Sequence, residues 1–386
     1  MKSKIKVLQV IPRLDFGGAE TGCYDLAHYL AEKDCKSYII TSGGKLLKYI
    51  KKDKVKVIKL PVHSKNPLFI LINFIIITFI ILFLNITLVH ARSRAPAWSC
   101  LFATKITRRK FITTFHGTYN FSSKLKKLYN SVMLRSNLVI AGSNFIFSHI
   151  QNNYKIFFEN EKRKVLVIFR GINTEYFNSK RVSSNKVNTF LNQWKLEKNN
   201  YNILIPGRLT SWKGQVIFIE ALNILNYLDT VPFNGIILGG DQGRKIYRKK
   251  LEALVQQYRL SKKIKFINHF SEMPVAYKAA NLVISASIEP EAFGRTSVEA
   301  QSMGKIIVAS NIGGSTETIV SDKTGFFFES GNAQSLAETI KKVMLMDNNT
   351  LQSMGSEGRK NVLKKFDVEK MCNSTFSEYK KLLKYN

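Results

Sequence analysis

The stretch that decides the fold is YNILIPGRLTSWKGQVIFIE, residues 201–220. It passes from an apolar run through a glycine-containing loop into residues with helical spacing, an order that predicts a buried strand, a tight loop and a helix. Residues 7–20, VLQVIPRLDFGGAE, repeat this order. We therefore expect each half of the chain to open a doubly wound α/β domain.

Short apolar runs recur through both halves. The first half contains KVLQVI, SYIITS, VKVIKL, NITLVH, KFITTF, NLVIAG and VLVIF, and the second contains YNILIP, NGIILGG, KIKFIN, NLVISAS, KIIVAS and GFFF. The segments between them are long enough for crossover helices, so the pattern predicts two parallel sheets covered by helices on both faces. Two such domains facing each other would form a cleft lined by loops at the carboxyl ends of their strands.

Two further segments complete the predicted architecture. Residues 171–200 are polar and rich in Asn, Ser and Lys, which predicts a domain junction. Residues 366–385 have helical spacing and could pack across that junction. We expect an N-terminal domain over 1–175, a second domain over 176–365 and a terminal helix over 366–386.

The composition narrows the class of partner. The chain has 386 residues, of which 45% are hydrophobic, and a formal net charge of +32. A field of this sign attracts nucleic acid, anionic lipid or phosphorylated small molecules. No helix-turn-helix, zinc finger or aromatic RNA-binding signature supports a nucleic-acid-binding protein without catalytic activity, and neither half carries the G-x-G-x-x-G fingerprint of an oxidoreductase. Among the possible functions we therefore rank a nucleic-acid-binding protein second and a nicotinamide-dependent oxidoreductase third.

The cysteines and the N-terminus predict a location. Cys23, Cys35, Cys100 and Cys372 lie far apart without a C-x-x-C pair, so we expect reduced and mostly buried thiols. The apolar run at residues 7–11 is too short for the core of a secretory signal. We expect a cytoplasmic protein, with peripheral attachment to the inner membrane as an open alternative.

Gly17 and Gly18 follow the first strand. Two residues without side chains would let the backbone approach an anion near a helix N-terminus. The alternative is a glycine turn that only joins a strand to a helix. The motif by itself favours neither interpretation.

Arg208 and Lys213 lie five residues apart in the loop after residues 201–206. A fork-shaped guanidinium and a point-charge ammonium together suit a diphosphate. A solvated basic loop is the alternative, and in so basic a chain composition alone favours it.

Glu291 and Glu299 flank a predicted helix start after the strand LVISAS. Phe293, Gly294 and Arg295 would present backbone N–H groups at that start. Two carboxylates there suit a ligand that carries both hydroxyls and a phosphate. For either acid alone, a capping or solvated role is favoured.

In combination these motifs resemble the retaining sugar-nucleotide transferases of glycosyltransferase family 4, also called group 1, which have the two-domain GT-B fold. The likeness covers almost the whole chain and combines the Gly17-Gly18 loop, His116-Gly117 after a strand, Gly207-Arg208 with Lys213-Gly214, and the acids Glu291 and Glu299. The phrases HARSRAPAW, TTFHGTYN and EPEAFGR resemble a bacterial branch that builds envelope polysaccharide or lipopolysaccharide.

The resemblance implies a fold and a set of donor contacts. The fold would be α/β and GT-B, with two doubly wound Rossmann-like domains facing across a cleft and a C-terminal helix that crosses back to the first domain. The domain over 1–175 would lie on the acceptor side, and the domain over 176–365 would bind the nucleotide sugar. Arg208 and Lys213 would clamp the donor diphosphate, and Glu299 would accept hydrogen bonds from the nucleotide ribose. Glu291 and the backbone at residues 293–295 would hold the sugar hydroxyls.

The resemblance also implies contacts from the first domain. Gly17 and Gly18 would close on the phosphates, and His116 would contact the transferring sugar near the reaction centre. We place His116 and Glu291 among the catalytic residues without assigning Glu291 as a nucleophile. A strand-end histidine bonded to backbone is the alternative for His116, and Arg92 and Arg94 either touch an acceptor phosphate or cap the sheet.

The implied reaction moves a hexosyl group from a nucleotide-diphosphate sugar to a glycan or lipid-linked acceptor with retention of configuration. No D-x-D pair occurs in the sequence. Arg208 and Lys213 can take the place of a metal ion in neutralising the leaving diphosphate. We therefore expect transfer that needs neither a metal nor another cofactor.

Residues 68–84, LFILINFIIITFIILFL, carry no charge. Their length is near the lower bound of about 17 residues for a membrane-spanning helix. A span would separate Gly17 and Gly18 from His116 and divide the predicted site, so we do not expect one. A core crossover helix with an apolar outer face and a helix lying on an anionic membrane surface both remain open.

Overall fold

The computed structural model describes residues 5–155, 164–197, 199–228, 230–268 and 270–384. The chain forms two compact units. The first contains residues 1–171 and 368–386, and the second contains residues 172–367. These limits lie a few residues from the boundaries predicted at 175/176 and 365/366.

The first unit contains a parallel sheet with strands β1 (Lys6–Val10), β2 (Lys36–Thr41), β3 (Val55–Lys59), β4 (Leu88–Ala91), β5 (Lys110–Phe115), β6 (Leu138–Ala141) and β7 (Lys164–Val167). Its helices are α1 (Gly18–Glu32), α2 (Pro67–Phe83), α3 (Arg94–Thr107), α4 (Lys124–Asn130) and α5 (Asn144–Tyr154). The strand order is β3-β2-β1-β4-β5-β6-β7. Each of these strands coincides with one of the apolar runs predicted for the first half.

The second unit contains strands β8 (Tyr201–Pro206), β9 (Phe233–Leu238), β10 (Ile264–Ile267), β11 (Leu282–Ser285), β12 (Ile306–Ser310) and β13 (Phe326–Phe328). Its helices are α6 (Ser184–Gln193), α7 (Gln215–Asn226), α8 (Lys245–Gln257), α9 (Met273–Ala279), α10 (Arg295–Ser302), α11 (Ser315–Thr318), α12 (Ala333–Met344) and α13 (Asn348–Lys365). The parallel strands follow the order β10-β9-β8-β11-β12-β13. The predicted pair of doubly wound α/β domains is confirmed.

The last helix, α14 (Val368–Leu383), returns to the first unit and packs against α1. The Tyr379 hydroxyl lies 2.5 Å from Nδ1 of His90 on β4, and Cys372 and Tyr379 are buried in the same apolar cluster as Leu26 and Leu30 of α1. The chain therefore completes its first unit only with its last helix.

The polar stretch at residues 171–200 is more than a linker. Ile172 already belongs to the second unit, and α6 packs against α9. Phe190 and Leu191 of α6 are buried, and the ring of Phe190 lies 5.0 Å from that of Phe270. These two buried apolar residues anchor a short helix whose other positions, apart from Val187, are polar.

The uncharged segment forms α2, which starts at Pro67 because the Asn66 side chain accepts a hydrogen bond from the Leu68 amide at 2.9 Å. Its inner face, with Asn73, Ile77 and Ile81 buried, packs against α3. Among the described residues, no helix combines the length and the apolar character that crossing a bilayer requires.

Candidate functional site

The predicted donor residues lie at the point where the strand order of the second sheet reverses. Strands β8 and β11 are neighbours in that sheet, and their following helices begin at Gln215 and Arg295. In doubly wound sheets the crevice beside such a point is where ligands bind. Arg208 and Lys213 follow β8, while Glu291 and Glu299 follow β11.

The loop after β8 holds Arg208 at the surface. Its guanidinium is exposed, and no ion pair within the described residues includes it. The buried side chain of Gln215 donates from Nε2 to the carbonyl of Arg208 at 2.9 Å, and the Tyr247 hydroxyl lies 3.2 Å from Oε1 of Gln215. The backbone of Arg208 is therefore fixed from within, while its charge faces solvent.

Gly214 ends this loop in the left-handed region, with φ of 71°. A Cβ atom there would lie 1.7 Å from the carbonyl oxygen of Ala286, which follows β11. Only glycine permits this approach, because the conflict is with backbone rather than with a movable side chain. A hydrogen bond of 2.8 Å from the Ile288 amide to the Trp212 carbonyl also joins the two loops.

A partly buried ion pair links the same loops through their side chains. Nζ of Lys213 lies 2.7 Å from Oε1 of Glu291, and the Ser287 hydroxyl donates to that oxygen at 2.5 Å. Burial acts to raise the pKa of Glu291, but the charge and hydrogen bond of Lys213 and the Ser287 hydroxyl together bring it below its ordinary value. Glu291 is therefore a carboxylate at neutral pH.

The second acid has its own partners. Glu299 is buried, accepts a hydrogen bond of 2.5 Å from Nε of Arg295 on the same helix, and accepts one of 2.7 Å from the Tyr277 hydroxyl on α9. Burial and the Glu299 carboxylate raise the pKa of Tyr277 well above its ordinary value, so the phenol remains a donor. The orientation of Glu299 is thus set from two sides.

The turn into α10 is built on small residues. Gly294, with φ of 81°, precedes α10, and Phe293 is buried with its ring 5.6 Å from that of Phe366. A Cβ atom at Gly314 would lie 2.6 Å from the backbone of Phe293, and the Gly314 amide donates to the Glu291 carbonyl at 2.7 Å. These contacts fix the predicted segment at residues 293–295 at the start of α10.

In the first unit, Gly17 and Gly18 lie at the start of α1, beside the reversal between β1 and β4. A Cβ atom at Gly18 would lie 2.8 Å from a guanidinium nitrogen of Arg170. Gly18 therefore leaves room for the Arg170 guanidinium beside the N-terminus of α1. A cation at a helix N-terminus suits the binding of an anion. Arg170 lies three residues after the end of β7 and was not predicted.

His116 follows β5, and both its ring nitrogens are buried without a hydrogen-bond partner among the described residues. Burial, with added repulsion from Arg170 and Arg92, holds its pKa well below the ordinary value, so the ring is neutral at pH 7. His90 on the neighbouring strand differs, because both its nitrogens have partners, Tyr379 and Thr114. The backbone-bonded alternative predicted for the His116 ring is not what the structure has.

The two arginines after β4 have different surroundings. Arg92 is buried and donates from Nε to Oε1 of Gln9 at 2.8 Å. Arg94 stacks over the ring of Tyr119 at 4.3 Å and donates to Asn130 at 2.8 Å. Both therefore have structural partners within the first unit.

Each unit thus brings part of the predicted set together. In the second, Lys213 contacts Glu291 directly and Arg295 contacts Glu299, whereas no ion pair of the described residues includes Arg208. The sequence interpretation missed Gln215, Ser287, Tyr277 and Arg170. A strand-end position could have indicated Arg170, but nothing in the sequence marks Tyr277 as a partner of Glu299.

Two family models match the chain. The model described as Glycosyl transferases group 1 matches residues 187–361, and the model described as Glycosyltransferase Family 4 matches residues 16–176. Neither alone spans half of the chain, but together they cover both units.

Three proteins illustrate the similarity. A glycosyltransferase of Rickettsia africae ESF-5 is 38% identical, with 100% of both chains covered and a TM-score of 0.91. The capsular polysaccharide biosynthesis glycosyltransferase CapM of Staphylococcus aureus is 24% identical, covering 92% of each chain. Anabaena HepE, crystallised with UDP-glucose, is 22% identical over 97% of this chain and 100% of its own, and its TM-score of 0.81 shows the same fold. By its full-length similarity to the Rickettsia enzyme and by both family models, the chain belongs to the group 1 glycosyltransferases and is a transferase with the GT-B fold.

Proposed function

We propose that this enzyme transfers a hexosyl group from a nucleotide-diphosphate sugar to a glycan or lipid-linked acceptor of a surface polysaccharide or lipopolysaccharide, with retention and without a metal ion. The observation that carries the proposal is the Lys213–Glu291 contact of 2.7 Å beside the strand reversal. This contact puts a cation, which suits a phosphate, beside a carboxylate, which suits sugar hydroxyls. A nucleotide-sugar donor carries both groups next to each other.

The donor diphosphate would lie against Arg208 and Lys213. Arg208 is exposed and offers its planar fork. Lys213 has three N–H donors, so its bond to Glu291 leaves others for a phosphate oxygen. As the bond between the anomeric carbon and the phosphate oxygen breaks, negative charge grows on the leaving diphosphate, and fixed cations stabilise it.

The two acids would hold opposite ends of the donor. Glu291 is charged and partly occupied by Lys213 and Ser287, so its remaining oxygen can accept from a sugar hydroxyl. Glu299, oriented by Arg295 and Tyr277, would accept from the ribose hydroxyls. Residues 293–295 would contribute backbone N–H groups at the start of α10.

The first unit would supply Gly17, Gly18 and His116. His116 is neutral with no hydrogen-bond partner for either ring nitrogen among the described residues, so a hydroxyl of the transferring sugar is a suitable partner. Gly17 and Gly18 would meet the phosphates at the N-terminus of α1, where Arg170 adds a positive charge. The new bond joins the acceptor oxygen to the anomeric carbon, and the acceptor proton leaves with the diphosphate or with water.

The names of the relatives support the donor and acceptor classes. HepE was crystallised with UDP-glucose, and CapM is named for capsular polysaccharide biosynthesis. A lipid-linked acceptor would place the reaction at the inner face of the membrane. That location and the acceptor are parts of the proposal.

A thermal-shift screen of UDP-, GDP- and ADP-sugars tests the donor class, because a ligand that binds only the folded state raises the melting temperature. We expect one nucleotide series to stabilise the wild type and not the Glu299→Ala variant. Stabilisation by none of them would contradict the proposal.

Two further experiments test the metal requirement and the stereochemistry. Transfer should persist in excess chelator, and a loss that added metal reverses would refute metal independence. NMR of the product should show the anomeric configuration of the donor, and an inverted configuration would refute retention.

A further inference from the structure

The outer face of α2 is apolar from end to end. Leu68, Leu71, Ile72, Ile75, Phe79 and Leu82 are all exposed and recur at helical spacing, and Phe83 at the end of the helix is 91% exposed. At about 1.5 Å per residue this stripe is roughly 22 Å long. We call it the α2 stripe.

Packing within the first unit does not account for the α2 stripe. The opposite face of the helix, with Asn73, Ile77 and Ile81, already packs against α3. A helix that covers a sheet normally has polar residues outside. A continuous exposed apolar face of this size marks an interaction surface.

The surface continues from α2 onto α3 through aromatic contacts. The ring of Phe74 lies 6.0 Å from that of Phe102, which is 5.9 Å from that of Trp98. Phe102 and Ile106 on α3 are exposed. The apolar surface is therefore wider than one helix.

The stretch of sequence that includes α2, α3 and α4 contains no acidic residue. Residues 54–158 include 15 Lys and Arg and no Asp or Glu, so all 27 acids of the chain lie outside these 105 residues. Lys65 precedes α2 by two residues, and Arg109 donates to Asn85, just beyond the other end of the helix, at 2.9 Å. Cations therefore stand at both ends of the α2 stripe.

The short helix α4 also combines exposed apolar residues with cations. It presents Leu125 and Leu128 as exposed apolar residues beside Lys124 and Lys126. Arg135, which follows α4, lies over the ring of Trp98 at 5.8 Å, so α4 and α3 belong to neighbouring parts of one surface. Exposed leucines among lysines are typical of segments that lie on lipid headgroups.

We propose that the α2 stripe, with Phe102 and Ile106 of α3 and the lysines of α4, docks on the surface of a bilayer that contains anionic lipid. The apolar side chains enter the headgroup and acyl boundary, and the surrounding cations face the lipid phosphates. A second copy of the chain is disfavoured as the occupant, because the segments that carry this surface are strongly basic and two copies of them would repel each other. The inference does not depend on the candidate donor residues after β8 and β11, which lie in the other unit.

Vesicle co-sedimentation of the full chain tests this assignment. We expect binding to vesicles of phosphatidylcholine and phosphatidylglycerol at about three to one, much weaker binding to phosphatidylcholine alone, and release by salt. The triple variant Phe79→Ser, Leu82→Ser, Phe83→Ser should bind at least about tenfold more weakly. Changing Lys124, Lys126 and Lys127 to Gln should weaken binding to the anionic vesicles alone.

The matched control is Tyr227→Ser with Ile246→Ser in the second unit, where the two side chains are 79% and 88% exposed. It removes exposed apolar surface elsewhere and should leave vesicle binding unchanged. An unchanged nucleotide-induced thermal shift in the triple variant shows that the fold and donor site survive. Equal vesicle binding by the triple variant and the wild type overturns the proposal, as does light scattering that shows a dimer lost in the triple variant.

Discussion

The ammonium of Lys213 and the carboxylate of Glu291, 78 residues apart in sequence, lie 2.7 Å from each other and are both largely buried. They join the loops that follow β8 and β11, the two strands at which the sheet order reverses. A charge pair in this position both holds the loops together and presents a cation and an anion to a ligand. The contribution of this pair to folding stability and its proposed role in ligand binding can be tested separately.

The Lys213→Ala variant should leave Glu291 buried without its counter-ion. Loss of one member of a buried pair costs roughly 3 kcal/mol of unfolding free energy, because the remaining charge is uncompensated. Adding Glu291→Gln to Lys213→Ala should recover part of that loss. Urea denaturation of the four proteins in the double-mutant cycle measures the coupling, and additive effects would contradict a direct interaction.

His116 should make stability depend on pH in a definite direction. Its pKa is lowered by burial and by Arg170 and Arg92, so the unfolded chain binds the proton more tightly than the native one. The stability that this neutral ring contributes is fully present above the unfolded pKa of about 6.5 and is lost as pH falls below it. Between about pH 6.5 and 5.5 the unfolding free energy of the wild type should fall more steeply than that of His116→Asn, by up to about 1.4 kcal/mol per pH unit. If the unfolding free energies of the two proteins, measured by urea denaturation, change with pH in parallel, the pKa of His116 is not lowered in the folded protein.

Glu299 and Tyr277 should affect nucleotide affinity to different degrees. Glu299→Gln removes the charge proposed to accept from the ribose, and we expect affinity to fall at least about tenfold. Tyr277→Phe leaves Arg295 to orient Glu299, so the loss should be only a few-fold. The exposed Glu338→Gln serves as the control in titration calorimetry. A larger effect from Tyr277→Phe than from Glu299→Gln would reverse the assigned roles.

Gly214→Ala should open the contact between the two loops. Its Cβ atom would collide with the Ala286 carbonyl, and its φ of 71° is unfavourable for alanine. We expect a loss of about 3 kcal/mol or more in unfolding free energy. Gly331→Ala is the matched control, because φ is 79° there but no atom lies within 4 Å of the added Cβ, so only about 1 kcal/mol should be lost. Equal losses in the two variants would show that the close approach is unimportant.

The sequence predicted the strands, and the positions of the candidate site residues relative to those strands, because both depend on local order. An apolar run followed by a glycine loop indicates a strand end, and in a parallel sheet strand ends gather at one edge. That reasoning placed Arg208, Lys213, Glu291 and Glu299 in the loops and helices that follow two strands, which the structure shows to be neighbours. It could not pair Lys213 with Glu291, since pairing depends on side-chain directions across two loops.

Residues that act through distant packing escaped prediction. Tyr277 reaches Glu299 from another helix, and Gln215 holds the Arg208 carbonyl from the start of α7. The helix α6 was missed because its few apolar residues stand in a polar stretch. The exposure of the α2 stripe follows from which face meets α3, which an entirely apolar segment does not reveal.

The most direct test of the central claim is calorimetric titration of the nucleoside diphosphate selected by the thermal-shift screen into the wild type and into the Arg208→Ala, Lys213→Ala double variant. We predict that the double variant binds at least about a hundredfold more weakly, because the two cations proposed to contact the diphosphate are removed. A dissociation constant equal to that of the wild type, in a variant that remains folded, would show that the donor binds elsewhere.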